Sequence, residues 1–565
     1  MTNNKFNSYL KYEQLCTTLK SYADNYPSLI KLQSIGKSFE GRDIWLASVT
    51  CFASGPDHEK PALWVDGNIH SAELVSSMAA LKLIDILANG YGTDPTITRT
   101  LDSRCFYIVP RVNPDGAEWA LSDTPRLTRS SVRPWPYAEQ ASDGLQIEDI
   151  DGDGRILSMR IPDPNGPWKI SPEDNRLMEK RDPTEIDGNF YRIIPEGTIN
   201  SYKINDIHLQ TQKEGLDLNR NFPSRWRGEH DQKGAGAFPG SEPEVRCLLD
   251  FISQHRNICS AISLHSYSGA LLRPFSFQAD DTMPTEDLWV YKKIGDKGSA
   301  LTGYPNVSAY DEFRYHPQQI ITGAMDDWMY EENGCFAWTV ELWSPQTQAG
   351  ISEYKLIDWY REHSLADEQK MLLWSDEQLH GKGYIDWYTY DHPELGTVEL
   401  GGWDPLFSFW NPPTEKLDAE ISRLPGWLIW HALISPRLEI LKTACCAVGS
   451  NLWQIDITVQ NTGWLATDIS RLARNKQLIR GIIIDIDIPA HVQIIQGEQR
   501  TLLGQLEGRA LKPSTPTGWA GGTSDVTDDR INYRWVVAAA AGTEIKITAS
   551  HERAGTVRST LALQE

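Results

Sequence analysis

The sequence predicts a mixed-sheet, three-layer α/β/α domain followed by a C-terminal all-β sandwich. Short apolar runs alternate with helical patterns through the first 375 residues, and beyond about Leu438 strand patterns follow one another with no helix between them. The length of 565 residues also exceeds the roughly 100–200 residues of one ordinary domain. The predicted strands of the first part are DIWLASVT (43–50), ALWVDGNI (62–69), CFYIVPRV (105–112), CSAISLHSY (259–267) and CFAWTVELW (335–343). These runs are β-branched or aromatic, with polar residues toward their ends. Helical patterns lie between them at 72–87 and 243–255, the second opened by an expected capping box of Ser241 and Glu244. A further helical stretch covers 354–374. Residues 134–212, rich in Pro, Gly and acids, are far longer than an ordinary connection and read as a decorated insertion. A Trp-, Gly- and Pro-rich connecting segment follows at 376–437, and WQIDITVQ, IRGIIIDIDI, YRWVVAAA and TEIKITAS mark the sandwich at 438–565. Trp387, Trp403, Trp410, Trp427 and Trp430 crowd the connecting segment, and burial against a neighbouring domain is the expectation for them.

Composition narrows the function classes. At 40% hydrophobic and 23% charged residues the chain is globular, not disordered. A formal net charge of -22 argues against a general nucleic-acid binder and against docking on anionic lipid. No run approaches the roughly 20 uncharged apolar residues of a membrane helix, since the window from Gly481 is broken by Asp485 and Asp487. The first residues, MTNNKFNSYLKYEQL, lack the features of a signal peptide, so a cytoplasmic location is expected. Eight cysteines fall in no CxxC pair, which suits reduced thiols and excludes a thiolate zinc site as the first reading. A histidine and carboxylate site remains open.

The chemistry concentrates at strand ends. In DGNIHSAELVSS, His70 and Glu73 stand three apart between a strand and a helix, where side chains of α/β sheets converge on ligands. His265 ends the strand in ISLHSY, and two histidines with one glutamate form a known catalytic zinc set. Glu341 is an acid near the end of the hydrophobic strand CFAWTVELW, and reads as a general base beside that metal.

With these residues in place, the chain resembles the zinc carboxypeptidases typified by carboxypeptidases A and B. GNIHSAE (67–73), NPDG (113–116), DLNRNF (217–222), FPGSEPE (238–244), LHSYSG (264–269), GAMDDW (323–328) and TVEL (339–342) occur in that family's order, spanning about residues 10–375. The resemblance implies that His70, Glu73 and His265 bind one zinc and that Glu341 is base and proton shuttle. It implies that Asn219 and Arg220 grip the terminal carboxylate of a peptide with a free C-terminus, a task suited to a bidentate guanidinium. Arg129 is implied as the oxyanion-stabilising arginine, with Arg133 as its rival. Asp326 matches the position whose acid selects a basic terminal residue in carboxypeptidase B, and an acid facing solvent at a helix start is its other reading. The family's mobile tyrosine is replaced by Gln319, with Tyr315 nearby as a substitute. No activation segment is expected ahead of the motifs, which leaves the insertion to limit access.

Related sites cleave murein peptides, side-chain polyglutamate or acyl-amino acids, and some relatives are non-catalytic binding modules. The Asn219–Arg220 pair favours the carboxypeptidase reading over the first group, and four intact site residues favour an enzyme over the second. Separately, DIDGDGRI sets Asp149, Asp151 and Asp153 at alternate positions before Gly154, the first half of a calcium loop. Arg160 stands where its bidentate glutamate belongs, which excludes a complete calcium loop of that kind; a ligand from Glu173 or Asp174 is one reading and a solvated acidic turn the other.

Overall fold

In the strand Ala62–Gly67, Leu63 and Val65 enter one hydrophobic cluster while Trp64 enters another. In Cys105–Val109, Phe106 and Ile108 likewise oppose Tyr107 and Val109. Strands buried on both faces need cover on both, which is the origin of the three layers. The computed structural model describes residues 6–136, 143–200, 207–314, 316, 318–352, 354–512 and 526–564. Its central sheet has eight strands in the spatial order Ile30–Lys37, Asp43–Val49, Cys105–Val109, Ala62–Gly67, Ile258–Ser266, Phe336–Leu342, Ala270–Arg273 and Asn306–Ser308. The four from Cys105–Val109 to Phe336–Leu342 run parallel. Helices Leu74–Gly90 and Thr285–Thr302 cover one face, and Pro243–Gln254 and Met325–Glu331 the other.

Two local expectations differ from the structure. The capping box before Pro243–Gln254 does not form, because Glu242 is the N-cap and Pro243 occupies the first helical position. Asn221 Oδ1 accepts from Glu242 N, and buried Glu244 instead accepts from Phe39 N at 2.8 Å. The helical stretch 354–374 is two helices, Leu356–Arg361 and Leu365–Gln378, the second capped by Ser364.

The 376–437 segment is built into what precedes it. Its strands Tyr384–His392 and Gly396–Trp403 join Ser158–Pro162, Phe190–Pro195, Trp168–Ile170 and Met178–Lys180 of the insertion in one six-stranded sheet. Its helices Thr414–Ile421 and Pro425–Leu433 place Leu417, Leu424, Trp427 and Leu428 in the cluster under Leu74–Gly90. Trp427 is fully buried, its indole donating to Ile294 O, while Trp387, Trp403, Trp410 and Trp430 are half-buried.

Beyond Leu438 two four-stranded sheets face each other across Ile455, Ile457, Trp535 and Val537 on one side and Ile484, Ile486, Ile545 and Ile547 on the other. This sandwich docks on the eight-stranded sheet through buried Arg553, which donates to Cys335 Sγ at 2.6 Å and Asn333 O at 2.8 Å. Cys259 Sγ donates back to Arg553 O at 3.1 Å, and Arg558 pairs with Glu59. All eight cysteines are free thiols. The docking residues lie where the parallel strands begin, so the sandwich covers the end of the sheet opposite His70, His265 and Glu341.

Two buried imidazoles make stability depend on pH. His431 has no partner on either ring nitrogen among the described residues, and burial pushes it down to about 3. Burial and Arg553 push His551 down to about 3 as well. Unfolded histidine titrates near 6.5, so the unfolded chain binds more protons between about pH 6.5 and 3. Stability present above pH 6.5 is therefore lost as pH falls, by about 1.4 kcal/mol per unit per imidazole. Thermal unfolding of His431→Leu at pH 7.5 and 5 tests this: the variant is expected to lose less Tm than the parent, and an equal loss contradicts it.

Candidate metal centre and active site

The strand Ala62–Gly67 ends so close to the helix Leu74–Gly90 that a Cβ on Gly67 would lie 2.7 Å from Ser76 O. Asn68 follows in the left-handed region at φ 58, and its Nδ2 donates to His70 O at 2.7 Å. This turn directs His70 and Glu73 toward His265, at the end of the neighbouring strand. His70 Nδ1 lies 2.8 Å from Glu73 Oε1, and His265 Nδ1 lies 3.0 Å from Glu73 Oε2. The two Nδ1 atoms are 3.1 Å apart, and all three side chains are buried.

The outer ring nitrogens decide what the inner ones can do. His70 Nε2 donates to Asp217 Oδ1 at 3.1 Å. Ser263 Oγ donates to Asp66 Oδ1 at 2.8 Å, so it accepts from His265 Nε2 at 3.1 Å. Both protons are thereby held outside, and both Nδ1 lone pairs point inward with the Glu73 carboxylate. Two nitrogen lone pairs and a carboxylate this close repel one another unless a cation lies between them. The donor set, two imidazoles and one carboxylate, fits zinc with a position left open.

A positive charge between these groups, a metal ion or an imidazolium proton, relieves that repulsion. Burial raises the Glu73 carboxyl, but His70 and His265 outweigh it and hold it below the ordinary range. Burial and Arg129 lower His70, but Glu73 and Asp217 outweigh them and raise it. Asp217 is held well below its ordinary value by Arg220, Arg129 and His70 against its burial. Glu341 is the exception. Burial and the Glu73 charge lift it to about 8, against the pull of His265 and Arg129.

Glu341 stands in register with His265 on the adjacent parallel strand and is half-buried. The Arg129 guanidinium lies 3.3 Å from Asp217 Oδ2 and 3.6 Å from Glu73 Oε1. Its rival Arg133 is spent elsewhere, on a two-pronged pair with Glu242 at 2.7 and 2.5 Å. Asn219 and Arg220 sit in the turn Leu218–Arg220, capped by Asp217. Asn219 Oδ1 accepts from Met325 N at 2.9 Å, which leaves its amide Nδ2 to donate. Gly323, at φ 72, backs this turn; a Cβ there would meet Arg220 O at 2.3 Å. Asp326, in the first turn of Met325–Glu331, is buried and does not face solvent. It accepts from Asp327 N at 3.0 Å and from the Thr339 hydroxyl, and burial raises it. Gln319 is half-buried, and Tyr315 lies outside the described residues.

Carboxylate oxygens of Asp149, Asp151 and Asp153 lie within 4.8 Å of one another. Glu173 and Asp174 do not complete that group. Glu173 accepts from Gln369, and Asp174 pairs with Arg176 at 2.8 Å, because both belong to the turn between Trp168–Ile170 and Met178–Lys180.

The structure adds residues that the sequence did not single out. Asp217, Asp66 and Ser263 appeared only as unremarked members of DLNRNF, DGNIHSAELVSS and ISLHSY. Asn411 is fully buried; its Oδ1 accepts from Val75 N at 2.8 Å and its Nδ2 donates to Ala72 O at 2.7 Å, bracketing Glu73. Trp343, two residues after Glu341, is held in the left-handed region at φ 65. Glu420 Oε1 accepts from Trp343 N at 3.0 Å and Ser408 O from its indole at 2.8 Å. These groups lie 65 residues or more from what they hold, and only the fold brings them there. Loss of a group that orients metal ligands typically costs about 10–100-fold in metal affinity. Asn411→Ala is expected to weaken zinc by about that factor in a chelator competition, and unchanged zinc affinity would show that Asn411 does not hold the Glu73 turn.

Comparison with known proteins bears on this geometry. The family described as zinc carboxypeptidase matches residues 15–155 and 170–362, and a second family, described as a domain of unknown function, matches 437–562. Rat carboxypeptidase B2 is 24% identical over 357 residues, covering 60% of this chain and 64% of that protein. Mouse carboxypeptidase A2 is 26% identical over 277 residues, 49% of each chain. The chain thus spans less than two thirds of the length of these relatives. The crystal structure of thrombin activatable fibrinolysis inhibitor aligns at a TM-score of 0.44 and 16% identity, covering 76% of both chains. Among the described residues no helix is long and apolar enough to cross a membrane. The family match covers more than half of the sequence: the chain belongs to the zinc carboxypeptidase family.

Proposed function

We propose that the protein is a metallocarboxypeptidase that hydrolyses the C-terminal peptide bond of peptides and prefers a basic terminal residue. The observation that carries this reading is the convergence of His70, Glu73 and His265 with Glu341 in register beside His265. His70, Glu73 and His265 hold zinc in this reading. The chemistry zinc supplies when bound is Lewis acidity, which polarises the scissile carbonyl and acidifies the attacking water. Arg220 and the Asn219 amide bind the substrate's α-carboxylate and so set which bond is presented. Glu341 takes the proton from the attacking water and returns it to the leaving amine. Arg129 stands beside the metal ligands, where it stabilises the oxyanion of the tetrahedral intermediate. Asp326 with Thr339 forms the floor of the terminal side-chain pocket, where a lysine or arginine head neutralises an otherwise costly buried carboxylate.

The same peptides ending in Lys, Phe or Glu test both parts. The lysine peptide is expected to have the highest kcat/KM, and Asp326→Ala to erase that advantage; an unchanged order refutes the preference. Glu341→Gln is expected to lower turnover by about 100- to 10,000-fold with zinc retained. Near-normal turnover there would refute the role of Glu341.

Calcium belongs to this proposal through the loop of Asp149, Asp151 and Asp153. Asp149 accepts from Gly152 N and Gly154 N, which gathers the three carboxylates on one side of the turn. Millimolar calcium is expected to raise the Tm of the parent and not that of Asp153→Asn, whereas no shift in the parent would remove calcium from the account.

A further inference from the structure

Away from the metal centre, arginines gather in one cleft of a strongly acidic chain. The helix Pro95–Ser103, the helix Pro425–Leu433 and the sandwich residues 462–464 and 509 enclose a cavity of about 490 Å³. Arg99, Arg104, Arg437 and Arg509 line it, with Trp430 and Trp464. A neighbouring cavity of about 600 Å³ shares Arg99, Ser103 and Arg437.

The arginines differ in how they are used. Arg104, 3% exposed, donates to Ala432 O, Leu433 O, Ser435 O and Ser103 O and to the Ser435 hydroxyl. Every one of those partners is neutral, so its charge sits buried at the cleft floor with no carboxylate on it. Burial above all, with a smaller push from neighbouring Arg437, lowers it to about 10. Arg437 pairs with Glu439 at 3.2 Å. Arg99 and Arg509 are exposed and make no ion pair among the described residues. The other acid at the margin, Asp102, borders the neighbouring cavity and accepts from Tyr91. Four guanidiniums against two marginal carboxylates make a local positive field inside a chain of net charge -22.

Trp430 and Trp464 are half-buried with ring centroids 6.5 Å apart, tilted by 50°. Each offers an apolar ring face beside the arginines. Guanidiniums from three separate elements can share the oxygens of one phosphate dianion, whereas a single carboxylate uses one guanidinium bidentately. A cleft of about 490 Å³ suits a compact ligand.

We propose that this interdomain cleft binds a small phosphomonoester joined to a flat ring, of mononucleotide size, with the phosphate on Arg99 and Arg509 and the ring against Trp464. The site does not depend on the peptidase reading, and occupying it ties the sandwich to the catalytic domain.

Calorimetry on the full zinc-loaded chain at low salt tests this with adenosine 5′-monophosphate, inorganic phosphate and adenosine as probes. The nucleotide is expected to bind once per chain, at least about tenfold more tightly than either fragment. The double variant Arg99→Ala, Arg509→Ala is expected to weaken it by at least about tenfold. Trp464→Ala is expected to weaken the nucleotide and leave phosphate unaffected. Exposed arginines are chosen because Arg104→Ala would also remove the bonds that end two helices. The proposal is overturned if no nucleotide binds, if adenosine binds as tightly as the nucleotide, or if the double variant leaves its affinity unchanged. Tighter binding of a hexaglutamate peptide would also overturn it, by making the cleft a peptide surface.

Discussion

The inward-facing Nδ1 atoms of His70 and His265, 3.1 Å apart beside the Glu73 carboxylate, are the constraint on which the rest depends. Such a group is repulsive on its own, so the fold must hold each member by its outer edge. Asp217 and the Ser263–Asp66 chain do this for the imidazoles, and Asn411 does it for the turn that carries Glu73. Asp217 serves twice, because it also caps the turn that presents Asn219 and Arg220. One buried carboxylate thereby relates the metal ligands to the groups assigned to the substrate carboxylate.

The parallel strands explain how such distant residues meet. His265 and Glu341 are neighbours because their strands pair in register, and Gly67 leads to His70 from the strand on the other side of His265. All open at one end of the sheet. The other end, where the strands begin, is closed by the sandwich through Arg553 and Arg558. The sandwich thus covers the base of the eight-stranded sheet and leaves the end carrying His70, His265 and Glu341 to the insertion. Residues 126–128 face Gln146, Ile147 and Gln210 of the insertion across a cavity of about 120 Å³, next to Arg129.

How much was legible follows from the same geometry. The strand patterns pointed to His70, Glu73, His265 and Glu341, which the fold brings together, because a polar residue at the end of a buried strand breaks the apolar run. Strand ends were drawn one to three residues too long, since NIH and PRV keep an apolar residue after the hydrogen-bonded ladder stops. The capping box failed because Ser-x-x-Glu describes spacing alone, and Pro243 moved the helix start. Residues 376–437 read as a connection because Gly and Pro break the periodicity between short elements. Trp427 and Leu428 nevertheless complete the core under the helix that follows Glu73. Asn411 and Glu420 were invisible for a different reason: a lone buried polar residue has no sequence signature until its partner is known.

Positive charge is scarce in this chain, and the site spends it sparingly. Arg220 donates to Asn219 O at 2.7 Å but stands 3.9 Å from Asp217, beyond hydrogen-bond length. The attraction orients the guanidinium without using its remaining donors. Arg133 shows the alternative, with its fork closed on Glu242 and nothing left for a ligand. Arg129 lies between these cases, near both Asp217 and Glu73 yet half exposed. An incoming anion competes poorly for a closed fork and well for one that is aimed but unfilled. That difference, more than the number of arginines, separates the residues positioned to meet a carboxylate or an oxyanion from those that only hold the fold.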